Sequence, residues 1–148
     1  MGSRARRAGA GAVAGLLLAP QAAVGHVVPE PPFVTRGEAT TVSFTVQNER
    51  ARHDTVELQL APPPRVELRP AAPPPGWTAV LDGETLRWRG GRIAGGATVS
   101  FPARVTADAP AGSYAFRAVQ RYEDGERVSW EAPFTVLPGS RSPAPQQQ

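Results

Sequence analysis

Cysteine is absent from this sequence, so no disulfide staples the fold and no thiolate is available to a metal. Met1 is the single methionine, which removes thioether ligands from any mature chain. There is no lysine, and all sixteen basic residues are arginines; this goes with a richness in Ala, Pro and Gly and carries no functional signal. Two histidines, His26 and His53, leave few catalytic schemes open, and no Ser/His/Asp arrangement or phosphate-binding glycine loop accompanies them. The longest apolar run, within residues 8–19, is about half the length needed to span a bilayer.

What is present begins with a leader. Arg4, Arg6 and Arg7 precede the apolar run, and Ala23-Val24-Gly25 supplies small residues at −3 and −1. These are the three parts of a secretory signal, so residues 1–25 are expected to be removed and the protein to be secreted or extracytoplasmic. Ala-Gly-Ala after Arg6-Arg7 favours the Sec route over the twin-arginine route. Three arginines leave with the leader, so thirteen remain against thirteen acidic residues. A formally neutral chain gives no support to nucleic acid or anionic membrane as partner. About 110 residues between leader and tail suffice for one two-layer core. The tail 138–148 (Pro-Gly-Ser-Arg-Ser-Pro-Ala-Pro-Gln-Gln-Gln) has the composition of a disordered segment.

Between them the pattern has period two. Val42, Phe44 and Val46 alternate with Thr41, Ser43 and Thr45; Val128, Trp130, Ala132, Phe134 and Val136 share one parity. Alternation of this kind marks strands with one buried face. Strands are expected near 26–34, 40–48, 54–60, 65–69, 77–82, 84–89, 97–106, 113–122 and 127–137. Asp82-Gly83 and Asp124-Gly125 suit two-residue hairpin turns, and Gly90-Gly91 and Gly95-Gly96 bracket another tight connection. The expectation is an all-β, immunoglobulin-like antiparallel β-sandwich.

Cleavage before His26 would give that residue a free α-amine beside its Nδ1, a pair that chelates one metal ion. Without sulfur, the remaining donors are nitrogen and oxygen. Glu49 ends the alternating strand at Gln47-Asn48-Glu49 and lies at a sheet rim, as a ligand or as a solvated loop carboxylate. An N,N,O set suits Cu(II) better than Cu(I). His53, in the same loop, is either a surface residue or the second imidazole of a two-histidine copper brace. Trp88 and Trp130 have core parity, and Trp77 is expected to pack over a sandwich edge.

Several segments together resemble the YcnI-like (domain of unknown function 1775) family of small secreted bacterial proteins. They are His26-Val27, the run from Val42 to Glu49, Val56-Glu57-Leu58-Gln59-Leu60, Pro75-Gly76-Trp77, Gly90-Gly91 with Ile93, and Gln120 to Gly125 leading into Val128-Ser129-Trp130. The resemblance covers residues 26–137. It implies a Cu(2+) site with His26 as N-terminal ligand, Glu49 as the carboxylate and Trp130 beside the metal. It also implies copper delivery or buffering alongside copper-uptake or copper-chaperone proteins of the cell envelope. Gln47 departs from the family's usual proline, and where many members carry a C-terminal membrane helix after a polar linker this tail ends at Gln148, so either a freely secreted protein or a truncated gene product is expected. A monomer is expected, and a site with one imidazole argues against enzymatic turnover. The competing readings are a metal-free adhesion or cell-envelope interaction module, and a small copper oxidase.

Overall fold

Ten strands realise the alternating pattern in the computed structural model, which describes residues 27–140. They are β1 (Val27–Glu30), β2 (Phe33–Thr35), β3 (Ala39–Gln47), β4 (Thr55–Ala61), β5 (Val66–Pro70), β6 (Thr78–Asp82), β7 (Thr85–Ile93), β8 (Thr98–Ala107), β9 (Gly112–Tyr122) and β10 (Arg127–Leu137). The leader 1–25, His26 and residues 141–148 lie outside the described residues. A four-stranded sheet in the order β1-β3-β8-β5 faces a six-stranded sheet in the order β2-β10-β9-β4-β7-β6. All pairings are antiparallel except β2 with β10. The all-β immunoglobulin-like sandwich is therefore the architecture.

The inward parity of each strand supplies the core. Phe44 and Phe101 from the smaller sheet meet Phe116, Phe134 and Trp88 from the larger, all buried. Phe44 packs edge-on against Phe116 at 5.1 Å, and Phe116 stacks on Phe134 at 4.3 Å. Rings in these arrangements add to their area burial. Four prolines lie inside strands without leaving a ladder unpaired. Pro29 and Pro70 are on the edge strands β1 and β5. Pro102 stands one residue beyond the β5 pairing, and Pro133 two residues before the β2 pairing begins. In each case one flank of the strand is free, which is where a missing N–H is tolerated.

Three local expectations are corrected. The stretch 26–34 is not one strand: Pro31-Pro32, which offer no N–H to either ladder, divide it into β1 in one sheet and β2 in the other. Gly90-Gly91 is not a connection but lies within β7, at a bulge where Gly90, Gly91 and Arg92 face the single Val56. Gly90 takes φ 96° there, and a Cβ on Gly91 would collide with the Trp77 indole. Trp77 is consequently sunk into the core beside the edge strand β6, edge-on to Phe101 at 4.9 Å, rather than draped over the edge. The two hairpins also differ from the expected Asp-Gly turns. Asp82 pairs with Thr85, so Gly83 (φ 62°) and Glu84 are the central residues, a turn needing positive φ only at its first position. The second hairpin closes at Tyr122 and Glu126 around Glu123-Asp124-Gly125, with Gly125 at φ 88°.

One charged residue is buried in the sheets. Glu57 of β4 is 5% exposed on the outer side of the larger sheet. It accepts bonds from Gln59 Nε2 at 2.6 Å and from Arg121 at 3.1 and 3.3 Å, with Arg87 and Arg89 nearby. Burial works to raise its pKa. The bonds from Gln59 and Arg121 and the charges of Arg121 and Arg87 outweigh it, holding the carboxyl below its usual 4.5.

Candidate functional site

Antiparallel pairing brings one rim of the sandwich together from distant parts of the sequence. The end of β3, the start of β4, the end of β7, the start of β8 and the β9–β10 hairpin all meet there. The first described residue, Val27, pairs with Val46. The chain thus enters the sandwich at this rim, and Gln47-Asn48-Glu49 follows immediately on the neighbouring strand.

Asn48 builds the loop that carries Glu49. It is fully buried, and its Nδ2 donates to the carbonyls of His53 at 2.7 Å and Ile93 at 2.9 Å. Its Oδ1 accepts from the Arg50 N–H at 2.9 Å. Its backbone N–H donates to Ala97 O, and its carbonyl accepts from Gly96 N. Behind it, a Cβ on Gly95 would lie 2.5 Å from the Ala51 carbonyl oxygen, so the two loops touch backbone to backbone. With every polar group of Asn48 satisfied, the 48–53 turn has one arrangement.

Arg50 fixes the other side of Glu49. Its guanidinium pairs with Asp124 at 2.9 Å and Glu126 at 3.1 Å, and lies 4.6 Å above the Tyr122 ring. Arg92 pairs in the same way with Glu123 and Asp54. These contacts clamp the turn to the β9–β10 hairpin. The bond from Arg50 holds Asp124 below the usual carboxylate range, and the Asp54 N–H with Arg92 does the same for Glu123. Glu49, between Asn48 and Arg50, is exposed and makes no ion pair among the described residues. The fold has tied down its neighbours and left this carboxylate outward.

Trp130 stands on β10 where that strand has a free edge, because β2 pairs only with Thr135–Leu137. It keeps the core parity expected of it and is half-buried against the core. Its indole N–H donates to Gln120 Oε1 at 2.9 Å. Gln120 is fully buried at an inward position of β9, and its Nε2 donates to Thr55 Oγ1 at 2.6 Å and to the Gln47 carbonyl at 3.5 Å. Glu49 and Trp130 are thereby joined through Asn48, Gln47 and Gln120. His53 is turned to the hairpin instead, its Nδ1 3.9 Å from Glu123 and its Nε2 3.8 Å from Asp124.

Among the described residues no group of three or more His, Asp or Glu side chains is gathered as a metal site. Asn48, Arg50 and Gln120 were not singled out from sequence. An asparagine before a loop signals only a turn, whereas Gln120 did carry a signal, being an amide at a core-parity position between Ala118 and Tyr122.

No family model matches the chain, and no curated protein does. Solved structures do. An uncharacterized protein from Nocardia farcinica with an immunoglobulin-like fold is 23% identical, with a TM-score of 0.64 over 75% of this chain and 97% of that one. The seventh ScaB type I cohesin of Pseudobacteroides cellulosolvens is 10% identical, with a TM-score of 0.45 over 82% and 96%. The similarity to the Nocardia farcinica protein concerns the fold alone.

Proposed function

We propose that the protein, once residues 1–25 are removed, binds one Cu(II) at its new N-terminus and serves copper delivery or buffering outside the cytoplasm. In this reading the His26 amine and imidazole provide two nitrogens, Glu49 the carboxylate oxygen, and Trp130 flanks the ion. The observation that carries it is the pairing of Val27 with Val46, which brings the chain in at the rim where Glu49 is held outward. The donor chemistry is consistent: with no sulfur in the mature chain, a site here is built from nitrogen and oxygen, as Cu(II) prefers. His53 is less suited as a second imidazole, because both its ring nitrogens face hairpin carboxylates. The resemblance to YcnI-like proteins points the same way, with copper-uptake or copper-chaperone proteins of the cell envelope as partners.

Titrating Cu(II) into protein that begins at His26, and into protein with one residue added before it, tests the reading. The extension turns the His26 amine into an amide and should weaken binding by roughly tenfold or more. Glu49→Ala should weaken it comparably, and His53→Ala should not. Equal tight binding by all four proteins would sink the N-terminal site, and no binding by the protein that begins at His26 would leave the sandwich as a metal-free interaction module.

A further inference from the structure

Gln120 breaks the rule that the rest of β9 obeys. Phe116, Ala118 and Tyr122 share its inward face and are buried apolar or aromatic residues; Gln120 is a primary amide with no exposure at all. A buried amide is costly unless each of its groups is matched. Here the matching fixes its orientation. The indole N–H of Trp130 only donates and the Gln47 carbonyl only accepts, so the amide oxygen must face the tryptophan and the amide nitrogen the strand end. The Thr55 hydroxyl takes the second amide hydrogen. Neither a carboxylate nor an apolar side chain of this size could satisfy all three.

The bonds also cross between the sheets. Gln47 belongs to the smaller sheet, whereas Thr55, Gln120 and Trp130 belong to the larger. Trp130 has a free strand edge beside it and is half-buried, so core packing alone does not enclose its ring. We infer that Gln120 is a positioning residue: it holds the Trp130 ring in one orientation against the rim and ties that ring to the strand end from which Glu49 projects. This rests on the copper reading for its purpose, but not for its geometry. In the copper-loaded protein, Gln120 sets how the indole face meets the ion without being a ligand.

The experiment uses the mature chain labelled with nitrogen-15, its three indole signals assigned with Trp130→Phe. Gln120→Met keeps the volume and deletes the amide. In the metal-free protein it should speed hydrogen exchange at the Trp130 indole by roughly tenfold, the scale of one lost buried hydrogen bond, and leave Trp77 and Trp88 unchanged. Thr55→Val, which removes one anchor of the amide, should shift the same signal in the same direction and serves if Gln120→Met does not fold. With Cu(II) bound, Gln120→Met should change the electron paramagnetic resonance spectrum while moving the Kd by less than about threefold. Unchanged exchange at Trp130, or an unchanged copper spectrum beside accelerated exchange, overturns the inference. Wild-type protein that binds no Cu(II) refutes the copper reading instead, since the exchange measurement needs no metal.

Discussion

Asn48 concentrates much of the rim's structure in one side chain. Replacing it by alanine would strand the carbonyls of His53 and Ile93 and the Arg50 N–H at once. Each orphaned group costs on the order of 1 kcal/mol or more, so Asn48→Ala should lower the unfolding free energy by about 2–3 kcal/mol in urea titrations. A loss below about 0.5 kcal/mol would mean that the loop is not held as described. Glu49→Ala, by contrast, removes an exposed side chain and should leave stability nearly unchanged. This difference also marks what was legible at the residue scale. Glu49 and Trp130 were reached through the resemblance, and local sequence alone left each with an ordinary structural reading. Asn48 was invisible because burial of a loop asparagine depends on Ile93, 45 positions away, and nothing local encodes that.

At the scale of elements the sequence was a better guide. Period-two alternation located β3 to β10 to within a few residues while running β1 and β2 together, because a strand with one buried face writes that face into its own parity. It failed where a neighbour decided the outcome. Pro31-Pro32 look like any interruption until the two flanking segments are seen to join different sheets, and Gly90-Gly91 look like a turn until Trp77 is seen lying across them. The second case makes a sharp test. In Gly91→Ala the new methyl meets the Trp77 indole, which is itself confined edge-on against Phe101. Overpacking of this kind should cost about 1–3 kcal/mol and alter the near-ultraviolet circular dichroism of the tryptophans. Gly96→Ala, where a methyl meets open space but φ is 78°, should perturb stability without that spectral change.

For the whole molecule, acid withdraws a set of stabilising charges. Glu57, Asp108, Glu123 and Asp124 all have folded-state pKa values below their usual ones, each through arginine partners or hydrogen bonds. A carboxyl whose pKa is lowered by folding lends stability above its unfolded pKa and loses it as pH falls through the folded one. The melting temperature should accordingly be nearly flat above about pH 5 and drop below about pH 4. Glu57→Gln should be the less stable protein at neutral pH, with the gap to wild type closing in acid as protonation silences the native carboxylate. A gap that stays constant from pH 7 to pH 3 would show that Glu57 contributes through packing and not through charge.

The split of the first strand has a mechanical consequence. β2 runs parallel to β10, with Phe33 beside Thr135 and Thr35 beside Leu137. Tension applied between the beginning and the end of the described chain would pull β2 toward one rim and β10 toward the other. Their ladder would then be loaded in shear, every hydrogen bond sharing the force, instead of being unzipped one bond at a time as in a hairpin pulled from its open end. Once β1 had left β3, a domain fastened at its two ends would yield only when the whole parallel ladder gave way together.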